Sequence, residues 1–261
     1  MMKVSMRMLM LALMATSALS WASDDGLSAE AIRDKVVENN SFGFNNARAE
    51  VQLTLVSKRN TRRERMIRVD SLDTNDGKRT MVRFLKPADV AGTSFLSIEQ
   101  KERDDDQYLY LPSLDKSKRI SGGQKNQRFM GTELTYADME SRDLKDGVVT
   151  RLPDEDYGGG KVFVLEAKPR ETDKDSQYSR TKSWIHKVSS VPLKVEFYDR
   201  KGRLLKVLKV KRLEKQDGRW IARDTLIENS QSKAKTEMSI VSIAFDVKLN
   251  PAMFTERALR Q

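Results

Sequence analysis

From Ala49 to Phe245 apolar residues recur at every second position, and short polar turns interrupt the runs. Val51, Leu53 and Leu55 share one face of such a run, with Gln52 and Thr54 on the other. Only a pleated strand gives a period of two. Asn75-Asp76-Gly77 returns the run 63–72 into 78–85, as a hairpin turn does, and Pro87 ends the second run because it lacks a ladder donor. Runs follow at 92–99, 107–111 and 118–121, then at 148–152, 161–166 and 180–186. Gly158-Gly159-Gly160 reads as a flexible hairpin tip, because no Gly-Lys-Ser/Thr follows it to make a phosphate loop. The tail is a meander in which 191–198 and 203–213 flank a turn at 199–202, and Asp217-Gly218 precedes 219–227 and 235–245. Roughly ten or eleven strands with short connections predict a mainly β, antiparallel fold that curls into a barrel or splits.

Several runs are apolar on both faces. Met238 and Ile240 alternate with Val241, Ile243 and Phe245, and Leu205 and Val207 oppose Leu204, Leu208 and Val210. One face packs inside a curled sheet. The other requires helices over it, or a cavity that holds an apolar ligand. Helices are expected at 28–37, with Ser28 as N-cap, at 135–144, with Thr135 as cap, and at 251–259, where Pro251 starts the turn.

Residues 1–22 read as a cleaved signal peptide: Lys3 and Arg7, an apolar stretch from Met8 to Leu19, and small residues at Ser20 and Ala22. Residues 23–261 are then expected to form a single domain in the periplasm, with no transmembrane segment. The leader takes two basic residues and no acid from a formal charge of +10. A basic balance suits acidic partners, and export makes nucleic acid the weakest of these. The absence of cysteine removes disulfides, thiolate metal sites and a cysteine nucleophile.

Enzymatic signals are poor. His186 is the only histidine, and no G-x-S-x-G elbow accompanies it. Asp104-Asp105-Asp106 lacks cation-loop spacing and reads as a solvated turn before a strand. No enzyme activity, cofactor or metal is expected. Lys116, Lys118, Arg119, Lys125 and Arg128 form the densest basic stretch, read either as a solvated loop or as a docking site for acidic headgroups or a partner protein. Tyr108 and Tyr110 share one strand face, and Leu109 and Leu111 the other.

Three blocks in order carry a resemblance: FLKPADVAGTSFL at 84–96, DQYLYLP at 106–112 and FMGTELTYADM at 129–139. They resemble blocks of the periplasmic outer-membrane lipoprotein-sorting (LolA-like) proteins, and PAMFT at 251–255 resembles that family's ending. The resemblance implies an incomplete, strongly curved antiparallel β-barrel with short helices lidding an apolar cavity. It also implies a carrier for the acyl chains of lipoproteins or lipids, with an inner-membrane RND-type exporter as a partner in some members. Val69, Phe84, Phe95, Tyr108, Tyr110, Phe129, Met130, Tyr136 and Met139 are the residues expected at that cavity. The alternative is a lipid- or lipoprotein-sensing adaptor that binds a transporter or sensor through the basic stretch.

Overall fold

The computed structural model describes residues 26–38, 46–101, 103–140, 147–169 and 176–261. The leader, and residues 141–144 of the expected helix 135–144, lie outside them. The described residues form one thirteen-stranded antiparallel sheet in the order β6-β5-β4-β3-β2-β1-β13-β12-β11-β10-β9-β8-β7. Its first half comprises β1 (Ala47–Val56), β2 (Arg62–Thr74), β3 (Gly77–Lys86), β4 (Ser94–Ile98), β5 (Asp106–Leu111) and β6 (Lys116–Ile120). The second half comprises β7 (Val148–Tyr157), β8 (Gly160–Lys168), β9 (Tyr178–His186), β10 (Pro192–Asp199), β11 (Leu204–Gln216), β12 (Arg219–Asn229) and β13 (Lys235–Ala244). The count exceeds the rough ten or eleven, yet each strand falls on a run that the period-two pattern marks, with β6 beginning two residues earlier and β7 running on through its acidic end to Tyr157. Two meanders are joined through β1 and β13, which puts β6 and β7 at opposite edges.

The edges are unpaired and chemically blunted. β6 carries Lys116, Lys118 and Arg119, and β7 carries Pro153 within a register shift between Leu152 and Glu155. Charge, proline and bulges at an edge oppose pairing with another chain. Gly77 closes the β2–β3 hairpin at φ +127, and a Cβ there would lie 2.9 Å from the Glu99 carbonyl oxygen. That position admits only glycine.

Helix α1 (Ala29–Glu38) starts at Ser28, whose Oγ accepts from the Ala31 amide at 3.1 Å. Ala29, Ile32 and Val36 pack on Phe163, Leu165 and Ile185. The expected helix at 135–144 is reduced, among its described residues, to a 3-10 turn at Ala137–Met139, and the one at 251–259 to two turns, Pro251–Met253 and Arg257–Arg260. No helix among the described residues is long and apolar enough to cross a membrane.

Candidate functional site

Residues directly opposite one another across a ladder point to the same face of a sheet. Pairing runs from Leu165 through Ser183, Val195, Leu208, Ile227 and Thr236 to Leu55, which carries one face from β8 across to β1. On β1 to β5 the same face holds Val51, Leu53, Ile67, Val69, Val82, Phe84, Phe95 and Leu109. This inner face is covered twice. Helix α1 lies over its β8–β9 end, and residues 129–139, from the connection between β6 and β7, lie over β1–β5.

Residues 129–139 of that connection fill the groove as a plug. The Phe129 ring meets Phe84, Phe95 and Tyr136 at centroid distances of 5.9, 5.2 and 5.6 Å, and Phe95 meets Tyr136 at 5.7 Å. All four side chains are buried. Met130, Leu134 and Met139 pack against the same cluster. The plug turns at Met130 and Gly131, both at positive φ (48 and 78), and the Met130 carbonyl accepts from Arg65, whose guanidinium stands 5.7 Å from the Phe84 ring.

Polar contacts to distant strands pin the plug. The Lys206 ammonium donates to the Glu133 carbonyl at 3.0 Å and pairs with the Asp138 carboxylate, both side chains being buried. Tyr178 donates to the other Asp138 oxygen at 2.7 Å, and the Thr135 amide to Asp138 at 2.6 Å. The Glu133 carboxylate accepts from Asn229 Nδ2 at 2.9 Å and pairs with Arg128 at 3.0 Å, while the Glu133 amide donates to Thr236 Oγ1 at 2.9 Å. Gln107 Nε2 donates to the Tyr136 carbonyl at 2.9 Å. Burial away from water raises the Tyr136 phenol above its ordinary pKa.

Of the expected cavity residues, Val69, Phe84, Phe95, Phe129, Met130, Tyr136 and Met139 come together in this one cluster. Tyr108 and Tyr110 do not. They lie on the outer face with Met81 and Leu96, under a cap made by Leu249, Phe254 and Leu259. Leu109 holds the inner position on β5, directly opposite Phe95. The basic stretch does not form one free surface. Arg119 pairs with Asp106, Lys125 is buried between Asp104 and Glu140, and Arg128 holds Glu133, while Lys116 and Lys118 stand exposed on edge β6. The acidic triplet is therefore not a solvated turn: Asp105 is buried, Asp104 pairs with Lys125, and Asp106 with Arg103 and Arg119. No cluster of three metal-ligating side chains occurs among the described residues. His186 closes a turn, its Nδ1 at 2.8 Å from Ser189 Oγ and its ring against Trp220.

Lys206, Asn229, Thr236 and Tyr178 are the site residues that sequence reasoning missed. A lysine flanked by Leu204, Leu205, Val207 and Leu208 was the one available signal. A hollow of about 400 Å³ lies elsewhere, lined by Arg212, Glu214, Gln216, Arg223 and residues 240–243. Arg223 there is held by Glu214 and by Gln216 at 2.7 Å, so the hollow offers paired charge and no apolar channel.

The fold matches solved structures along nearly its whole length. A domain named for outer membrane lipoprotein sorting, from Vibrio parahaemolyticus, is 34% identical with a TM-score of 0.82, the match covering 89% of this chain and 98% of that one. The chain belongs to the outer membrane lipoprotein-sorting family. A DUF1329 family protein from Desulfovibrio piger is 28% identical with a TM-score of 0.81, covering 89% of this chain and 99% of that one. A LolA superfamily protein from Nitrosomonas europaea, at 20% identity and TM-score 0.70 over 89% of this chain and 99% of that one, shares the fold. A family model described as "Uncharacterized protein" matches residues 76–261. No curated protein matches the sequence. The described strands form an open antiparallel barrel, the fold shared with that LolA superfamily protein.

Proposed function

We propose that the chain is a periplasmic carrier that takes the acyl chains of lipoproteins or lipids onto the inner face of its sheet, in place of residues 129–139, and shuttles them toward the outer membrane. The observation that carries this reading is the plug. The aromatic and aliphatic inner face is sealed by a connecting segment, and the segment's polar pins reach β9, β11, β12 and β13 as well as its own neighbours in sequence. Each methylene removed from water is stabilised by about 0.8 kcal/mol, so a chain of about sixteen carbons gains on the order of 12 kcal/mol from shielding. An acyl chain replacing Phe129, Met130, Leu134 and Tyr136 exchanges one set of apolar contacts for another. Loading and release both require that exchange to lie near balance.

In this reading residues 1–22 are cleaved on export and residues 23–261 work as one domain; sequencing the N-terminus of the periplasmic form tests that. An inner-membrane RND-type exporter as donor belongs to the same proposal and is tested by co-purification. The carrier role itself is tested by solvent extraction of protein isolated from the periplasm, with mass spectrometry of the extract, and by titration with a fluorescent fatty acid. Acylated material at near-stoichiometric amounts and saturable binding are expected. An extract free of acyl species, together with no binding of the fatty acid, removes the reading.

A further inference from the structure

The turns of the meander project from two opposite rims of the sheet, and the rims differ in charge. One rim carries the β1–β2, β10–β11 and β12–β13 turns. The first contributes Lys58, Arg59, Arg62 and Arg63, all exposed. The second contributes Arg200, Lys201 and Arg203, also exposed, and the third contributes Lys233 and Lys235. The acids in these stretches are Glu64 and Asp199, and Asp199 is taken up by Arg203 and Gln231. Of the cations, Arg62 pairs with Glu237 and Lys235 with Glu228, whereas Lys58, Arg59, Arg63, Lys201 and Lys233 have no carboxylate within ion-pair reach among the described residues. At the other ends of the same strands, the turns Asn75-Asp76 and Asp217-Gly218 carry two aspartates and no basic residue, and the β9–β10 turn carries Lys187, which pairs with Asp154.

The basic turns are joined to one another and to the plug. Gln231 Nε2 donates to Asp199 Oδ2 at 3.0 Å, and the Ser230 amide donates to the Leu205 carbonyl at 2.8 Å. Asn229 Oδ1 accepts from the Gln231 and Ser232 amides at 3.0 and 2.8 Å and so shapes the β12–β13 turn, while its Nδ2 holds Glu133 of the plug. Arg128, at the entry to the plug, reaches Ser232 Oγ at 3.4 Å. The basic rim therefore stands over the pinned end of the groove.

We propose that this rim docks on the anionic surface of a phospholipid bilayer, which sets the pinned end of the plug at headgroup level. The choice of a membrane over an acidic protein rests on the carrier reading and on the chemistry of the tips. Residues 57–64, 199–203 and 230–235 contain no aromatic residue and no aliphatic side chain larger than alanine. A protein interface needs a desolvated core of such anchors. Dispersed cations on polar turns instead fit a lattice of phosphate headgroups, each cation adding attraction of a size that changes partition about fivefold.

The test is co-sedimentation of the full chain with vesicles of phosphatidylcholine alone, or with about a third phosphatidylglycerol. Two variants of equal net charge are compared. Lys58→Ala, Arg59→Ala, Lys201→Ala and Lys233→Ala change the basic rim. Lys101→Ala, Lys161→Ala, Lys215→Ala and Lys248→Ala change exposed lysines toward the other rim. Binding only to the anionic vesicles is expected, weakening as salt is raised, with a loss of about fivefold per charge in the first variant and little in the second. Equal binding to both vesicles, binding to neither, or equal loss in both variants overturns the proposal. So does retention on an acidic polypeptide without vesicle binding, which assigns the rim to a protein partner. Fatty-acid titration in the absence of vesicles is run in parallel on every variant. Retained titration with lost docking leaves the carrier reading standing; lost titration in the unchanged chain removes it.

Discussion

Truncating Phe129 separates a displaceable plug from an ordinary piece of core. Phe129→Ala removes a buried ring that touches Phe84, Phe95 and Tyr136, and such truncations cost about 3–5 kcal/mol. If the plug leaves the groove as a unit, that cost falls on the plugged form and not on the sheet beneath it. The open form then gains roughly two to three and a half orders of magnitude in population, since about 1.4 kcal/mol is tenfold. Apparent acyl affinity is the intrinsic affinity reduced by the open fraction, so Phe129→Ala is expected to bind a fluorescent fatty acid more tightly. Phe84→Ala is the matched control, because Phe84 belongs to the wall on β3 and is equally buried. It is expected to weaken binding by removing part of the lining. Titrations of both variants beside the unchanged chain, with thermal melts to confirm folding, decide the matter. Weaker binding in a folded Phe129→Ala protein would show that Phe129 is part of the ligand's wall, and would refute the reasoning.

Three further outcomes follow from the same geometry. Lys206→Met leaves the buried Asp138 carboxylate without its ammonium, a loss of roughly 3–5 kcal/mol for a broken buried pair; amide exchange should rise over residues 129–139 while β1–β5 keep their protection. Equal loss of protection across the sheet would mean that the pair supports the whole fold. The Tyr108→Ala, Tyr110→Ala double variant should lower the melting temperature by undoing the outer cap with Phe254 and Leu259, yet leave fatty-acid affinity within twofold or so; a large affinity loss would put these rings in the site. Burial raises the Tyr136 pKa above 10, so the folded protein holds that proton more tightly than the unfolded chain does. Plug stability from this group is complete below pH ~10 and is lost as pH rises through the raised value, and Tyr136→Phe should abolish that alkaline step in a melting series.

The strands were legible because period two and turn pairs are local signals. The Asn75-Asp76 and Asp217-Gly218 turns stand where the sequence put them. Which face looks inward is not local. Tyr108 and Leu109 must point oppositely, but only the pairing of Leu109 with Phe95 and the distant cap at Phe254 decide which is inside. The helix expected from Thr135 has its cap: the Thr135 amide donates to Asp138 and the Asp138 amide to Thr135 Oγ1. Tertiary contacts override its continuation within the described residues, since the Asp138 side chain is also claimed by Lys206 and Tyr178. The basic stretch misled for the same reason. Lys125 and Asp104 are far enough apart in sequence that a count of charges cannot show that they neutralise each other.

The central claim is that an acyl chain occupies the inner face in place of the plug. A photoactivatable fatty acid, cross-linked to the folded protein and mapped by tandem mass spectrometry at residue level, tests it most directly. The account predicts labels on inner-face residues such as Ile67, Val82, Phe84 and Phe95, reduced by competing unlabelled fatty acid. Labels confined to outer-face residues such as Met81, Leu96 or Phe254, or labelling that no competitor reduces, would contradict it.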